Sequence, residues 1–114
     1  MLATTILPET AVVQVRLGLG RDRKPYARPN SCEAWFRSTD RDTVSFTCAD
    51  EFTIRFDKGD GSPFDDEILI GVGQNGFFEI EAALRANVEE RTYAYSLTVG
   101  ETIDPDIVVK RDPR

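Results

Sequence analysis

The 114-residue chain contains no histidine, and this absence excludes more than any single residue present establishes. It removes the commonest general base, the usual partner of a nucleophilic serine or cysteine, and the usual ligand of zinc and copper. Methionine occurs only at Met1, tryptophan only at Trp35, and cysteine only at Cys32 and Cys48. No apolar run approaches the roughly 20 residues that a membrane-spanning helix requires. Residues 1–10 lack the basic flank and the unbroken apolar stretch of a secretory signal, so the expected location is the cytoplasm. Basic residues are also scarce: 14 Lys and Arg stand against 20 Asp and Glu, a net charge of −6. That balance argues against nonspecific binding to nucleic acid or to an anionic membrane, both of which select for Lys and Arg.

What is present suits one globular domain over 1–114, with loose ends at 1–9 and 111–114. Hydrophobic residues make up 40% of the chain and charged residues 30%, enough for a single core. The clearest pattern runs from Thr92 to Val99, where Tyr93, Tyr95, Leu97 and Val99 alternate with Thr92, Ala94, Ser96 and Thr98. A period of two marks a strand with one face in a core. Gly100-Glu101-Thr102 reads as a turn, and Ile103–Val109 as a return strand. Pro105 near its start cannot donate to a ladder, which places this return strand at a sheet edge or delays its start.

Similar alternation predicts strands at Ala11–Leu17, Cys32–Ser38, Thr43–Cys48 and Glu51–Asp57. Ile68–Val72 is a short apolar strand, and Gln74-Asn75-Gly76 a strong turn signal. Phe78, Ile80, Ala82 and Leu84 also alternate, although the Ala, Glu, Leu and Arg content of 79–90 favours a helix on propensity. We read a strand there. Seven or eight short strands with regular turn signals and no clear helix predict an all-β chain, a single Greek-key β-sandwich.

Pairing Cys32–Ser38 with Thr43–Cys48 as a hairpin about Asp40 sets Phe36 opposite Val44, Ala34 opposite Phe46, and Cys32 opposite Cys48. Opposed cysteines allow a cross-strand disulfide. In a reducing compartment they act instead as small buried apolar groups, the reading preferred here.

The segment Arg21–Asn30 reads as a solvated loop, because Pro25, Pro29 and its charges oppose a buried element. It is also the one strongly basic patch of an acidic chain. Arg21, Arg23, Lys24 and Arg28 are candidates for an acidic partner, with Tyr26 as a stacking surface. Gly18-Leu19-Gly20 before it lacks the Gly-Lys-Ser/Thr ending of a phosphate loop. Trp35 falls on the polar row of its strand, between Glu33 and Arg37, either as an anchor for a partner or covered by a neighbouring element. The loop after Asp57 is rich in carboxylates, but Asp57, Gly59, Gly61 and Ser62 do not fit the Asp/Asn, Asp/Asn, Asp/Asn, Gly pattern of an EF-hand. The sequence reading therefore assigns no metal. Asp57, Asp60, Asp65 and Asp66 remain the calcium candidates of a looser site, against a simple hydrated turn.

Tyr93-x-Tyr95-x-Leu97-x-Val99 followed by Asp104-Pro105-x-Ile107-Val108-Val109 resembles the closing hairpin of small bacterial cupredoxin-like or immunoglobulin-like sandwich proteins. The resemblance covers about 18 residues and implies a fold alone. The copper site of electron-transfer members takes two His, one Cys and commonly a Met, and cannot be carried over.

No spacing singles out a carboxylate pair for acid–base work, so no enzyme and no cofactor is expected. The leading expectation is a non-catalytic protein-interaction or assembly module. It would bind a protein partner or self-associate through the edge strand Ile107, Val108, Val109 or the loop Arg21–Arg28. The alternative is a sandwich that binds carbohydrate on Trp35 and Tyr26, or calcium in the acidic loop.

Overall fold

The computed structural model describes residues 12–36, 40–57, 59 and 61–111. Asp60, Thr39 of the expected turn, the expected loose end at 1–9, and residues 112–114 of the expected loose end at 111–114 lie outside the described residues. The structure is all-β, and among the described residues there is no helix. The chain forms β1 (Val12–Leu19), β2 (Pro25–Arg28), β3 (Ser31–Phe36), β4 (Thr43–Cys48), β5 (Thr53–Arg55) and β6 (Ile68–Ile70). It continues through β7 (Val72–Gln74), β8 (Phe77–Ala83), β9 (Thr92–Ala94), β10 (Ser96–Val99), β11 (Glu101–Ile103) and β12 (Asp106–Arg111).

These strands make three sheets, ordered β2-β1-β4-β8-β7, β11-β10-β5-β6 and β3-β12-β9. Their inward rows share one core. Val15 and Leu17 come from β1, Val44, Phe46 and Cys48 from β4, and Ile54 with its neighbours Phe52 and Phe56 from the β5 region. Leu97, Val99, Ile107 and Val109 complete it from the C-terminal arms. Phe77–Ala83 is a strand despite its helical propensity, because Phe78–Ala83 pairs with β4, Thr43↔Ala83 through Cys48↔Phe78. Tertiary pairing overrides a propensity difference of a few tenths of a kcal/mol per residue.

Among the described residues twelve strands replace the seven or eight expected, partly because long strands are divided where they change sheets. The C-terminal hairpin shows how. Thr92↔Val108, Tyr93↔Ile107 and Ala94↔Asp106 pair in one sheet, while Leu97↔Ile103 and Val99↔Glu101 pair in another. Between them the Tyr95 N–H donates to the Pro105 carbonyl at 3.0 Å. The register never slips across the hairpin, and the ladder is interrupted only at Pro105, which has no N–H to return. The expectation that the return strand is an edge is corrected here: β12 is central, parallel to β3 on one side and antiparallel to β9 on the other.

Two further expectations are corrected. Cys32–Ser38 and Thr43–Cys48 do not form a hairpin. Among the described residues their arms meet only at Phe36↔Arg41 and where the Asp42 N–H donates to the Trp35 carbonyl at 2.9 Å. The Asp42 carboxylate accepts the Trp35 N–H at 3.0 Å, and the strands then diverge into different sheets. Alternation fixes which face is inward, not which strand lies alongside. The expected loop Arg21–Asn30 contains β2, with Pro25 and Ala27 buried. Its prolines are tolerated because β2 ends its sheet and pairs on one side only, with β1.

Cys32 therefore faces Ile107 on β12, and Cys48 lies between Leu17 and Phe78. Both are buried free thiols. Burial, then the nearby Asp106 charge, push the Cys32 thiol up to about 11, and burial raises Cys48 in the same direction. A thiol whose folded pKa is raised stabilises the fold fully below its unfolded pKa, near 9, and loses that contribution as pH climbs through 11. Urea titrations at pH 8 and pH 10.5 are expected to show a loss on the order of 2 kcal/mol at the higher pH. Cys32→Ala should remove part of that slope.

The two tyrosines of the hairpin behave differently. The Tyr93 hydroxyl donates to the Glu89 carbonyl at 3.0 Å and accepts the Glu89 N–H at 3.2 Å, so it caps the loop upstream as tyrosine corners do. The Tyr95 hydroxyl is buried with no hydrogen-bond partner, and burial drives its pKa far above the ordinary value. Tyr93→Phe is expected to cost about 1–2 kcal/mol, whereas Tyr95→Phe should be neutral or stabilising by about 1 kcal/mol. Melting temperatures moving in the same direction for both would contradict this reading.

Candidate interaction site

The strand that runs from β6 into β7 forms the outer edge of two sheets in succession. It leaves one sheet and joins the other at Gly71, where the absence of a Cβ lets the Phe52 ring pack against the backbone. On the inner side Leu69 is buried, whereas Ile68, Ile70 and Val72 alternate on the outer side at 51%, 59% and 69% exposure. Phe77, 52% exposed, follows after the Asn75-Gly76 turn. Asn75 (φ 57°) and Gly76 (φ 83°) give this turn the two positive dihedrals of a type I′ hairpin.

The backbone of this edge is also open. Phe56 N–H donates to the Glu67 carbonyl at 2.8 Å, and Gly71 N–H donates to the Phe52 carbonyl at 3.1 Å. In an antiparallel ladder the hydrogen-bonded positions alternate. Glu67, Leu69 and Gly71 therefore face β5, and the amides and carbonyls of Ile68 and Ile70 point away from it. Beside the edge lies a cleft of about 290 Å³ lined by Phe64, Leu69, Ile80, Ala82 and Leu84, with Asp65, Asp66, Glu81, Arg41 and Arg85 at its rim. Ile80 and Ala82 face inward yet are only half-buried, because among the described residues no strand lies beyond β6 to cover them.

The turn that leads into this edge is ordered. Phe64 N–H donates to the Ser62 hydroxyl, which donates to the Asp66 carbonyl at 2.7 Å. Arg85 Nε donates to the Ser62 carbonyl at 2.8 Å, and Arg85 N–H donates to the Pro63 carbonyl. Asp65, Asp66 and Glu67 are exposed on this held turn. As for calcium, Asp57 accepts a hydrogen bond from Ser96, and among the described residues no three carboxylates, cysteines or histidines converge.

The partner-binding residues expected from sequence are dispersed. Arg21, Arg23 and Lys24 are exposed on a tight turn closed by Gly20 N–H to the Lys24 carbonyl at 2.9 Å. On β2 the Arg28 guanidinium lies 5.1 Å from the centre of the Tyr26 ring. Tyr26 shares a shallow groove of about 210 Å³ with Arg16, Thr47, Gly76 and Phe77 on the outside of the five-stranded sheet. Trp35 belongs to a different sheet, half-buried beneath Lys110, whose ammonium lies 5.8 Å from the ring centre. Ile107 and Val109 are fully buried and Val108 half-buried, so they offer no open edge.

Sequence reasoning missed Ile68, Ile70, Val72 and Phe77. Its one available signal was an apolar run bounded by Asp65-Asp66-Glu67 and by glycines at 71 and 73. Compared with models of protein families and with curated proteins, the chain matches none. Among the described residues no helix is long and apolar enough to cross a membrane.

Proposed function

We propose that this protein is a non-catalytic protein-interaction module that takes an extended segment of another chain by strand addition along Ile68–Gln74. One observation carries the proposal: an edge that no strand among the described residues pairs with exposes Ile68, Ile70 and Val72 together with the outward amides of Ile68 and Ile70. Natural sheet edges are commonly blunted by charge, proline or a covering element, and an apolar open edge suits partner pairing. We further propose that the sandwich is of the immunoglobulin-like or cupredoxin-like kind without a copper site, which the Tyr93 corner supports. The two buried free thiols support a reducing, cytoplasmic setting. A second reading, a small ligand stacked between Tyr26 and Phe77 beside Arg16, is favoured only by the groove those residues line.

Ile70→Pro separates the edge from the fold. The Ile70 N–H points away from β5, so proline removes the outward donor and no ladder bond. The variant is expected to keep a cooperative melting transition. As a probe we choose an eight-residue peptide of alternating Val and Ser, followed by fluorescence anisotropy. It should bind the native protein, and lose binding to Ile70→Pro or when its own backbone is N-methylated. Equal binding by the N-methylated peptide would sink strand addition.

A further inference from the structure

We infer that the segment accepted by this edge carries Lys or Arg in alternation with apolar residues, the apolar side chains filling the cleft between Leu69 and Ile80. The inference rests on the strand-addition reading above. A strand laid beside β6 would direct alternate side chains inward, where Ile80 and Ala82 are half-covered, and outward, where Ile68 and Ile70 stand exposed. Its apolar half is thus specified by the cleft.

Charge specifies the other half. Asp65, Asp66 and Glu67 lead directly into β6, and Glu79 and Glu81 stand on β8 beside β7, all exposed. Against them the nearby cations among the described residues are Arg55, opposite Ile68, and Arg41 and Arg85 at the rim of the cleft. Arg85 is already engaged with the carbonyls of Ser62 and Asn87. The surroundings of the edge are therefore acidic, and a basic strand both gains attraction and is steered to it.

A second copy of this chain fits less well. Antiparallel pairing about Ile70 would set Asp65, Asp66 and Glu67 of each copy against residues 73–75 of the other, which carry no cation. The chain's own basic edge, β2, offers little to pair with, since Pro25 and Pro29 lack N–H groups.

The test uses three eight-residue peptides in which Val alternates with Lys, Ser or Glu, measured by anisotropy against the full chain. The Lys peptide is expected to bind about tenfold or more tightly than the Glu peptide at low salt, with the gap closing as salt rises. The triple change Asp65→Asn, Asp66→Asn, Glu67→Gln should narrow the gap, Glu79 and Glu81 being left in place, without affecting the Ser peptide. Equal affinities for the Lys and Glu peptides would overturn the basic-partner inference and leave strand addition standing. Binding of none of the three would overturn both. A Lys peptide that still binds after N-methylation, or binds the triple variant as tightly, would also overturn the inference. So would a homodimer, seen by light scattering, that Ile70→Lys dissolves.

Discussion

Phe46→Ala is expected to remove about 3–5 kcal/mol of stability, the range for deleting a fully buried aromatic side chain. Phe46 is 0% exposed at the middle of β4, the strand that pairs with both β1 and β8. Its ring stands edge-on to Phe64 at 6.4 Å and to Tyr95 at 5.9 Å. Phe56 closes the circuit, 5.7 Å from Phe64 and 5.5 Å from Tyr95. Four rings thus join β4, the flank of β5, the turn before β6 and the point where the C-terminal hairpin changes sheets. Truncating one member opens a cavity against three sheets at once, and each aromatic pair adds about 0.5–1.5 kcal/mol beyond area burial. A domain of this size holds about 5–15 kcal/mol in all, so the variant should be close to unfolding at 37 °C. Phe46→Leu should retain most of the packing and cost less than half as much. Equilibrium urea unfolding measures both, and a cost below about 1 kcal/mol for alanine would mean that the ring cluster does not hold the layers together.

The faces of the strands were legible in the sequence, whereas their neighbours were not. Val15 and Leu17, Phe52, Ile54 and Phe56, and Tyr93, Tyr95, Leu97 and Val99 all point inward as their alternation predicts. Period-two alternation follows from the pleat and is purely local. Pairing partners are not local: nothing in Ser31–Phe36 announces that it runs parallel to Asp106–Arg111 rather than against Thr43–Cys48. Pro105 was legible as a defect in a ladder, but a ladder defect occurs equally at an edge and, as here, where a central strand passes between sheets. The candidate site was hidden for a related reason. Consecutive apolar residues such as Ile68-Leu69-Ile70 ordinarily mean burial on both faces. Here only Leu69 is buried, because the sheet ends at β6 and, among the described residues, no element covers its outer side.

Gly73→Ala should be the most damaging single methyl group added to the edge. Gly73 has φ +158°, and a Cβ there would lie 2.0 Å from the Phe77 carbonyl oxygen. The contact is with backbone, so no rotamer change relieves it, and β7 must move away from β8. Strain at such a dihedral costs about 1–3 kcal/mol, and loss of the Val72↔Glu79 to Gln74↔Phe77 ladder adds to it. Gly76→Ala is the control: its φ of +83° carries strain, but nothing lies within 4 Å of the added group. We expect Gly76→Ala to cost about 1 kcal/mol and Gly73→Ala about three times that. Hydrogen exchange locates the difference, with faster exchange at the β7 and β8 amides and unchanged protection in β5 and β10. That pattern also divides the proposed edge into its parts. If Gly73→Ala frees β7 but still binds the extended Val-Ser peptide, the outward amides of Ile68 and Ile70 suffice for recognition. If binding disappears while β5 and β6 remain paired, the partner strand requires the edge on both sides of Gly71.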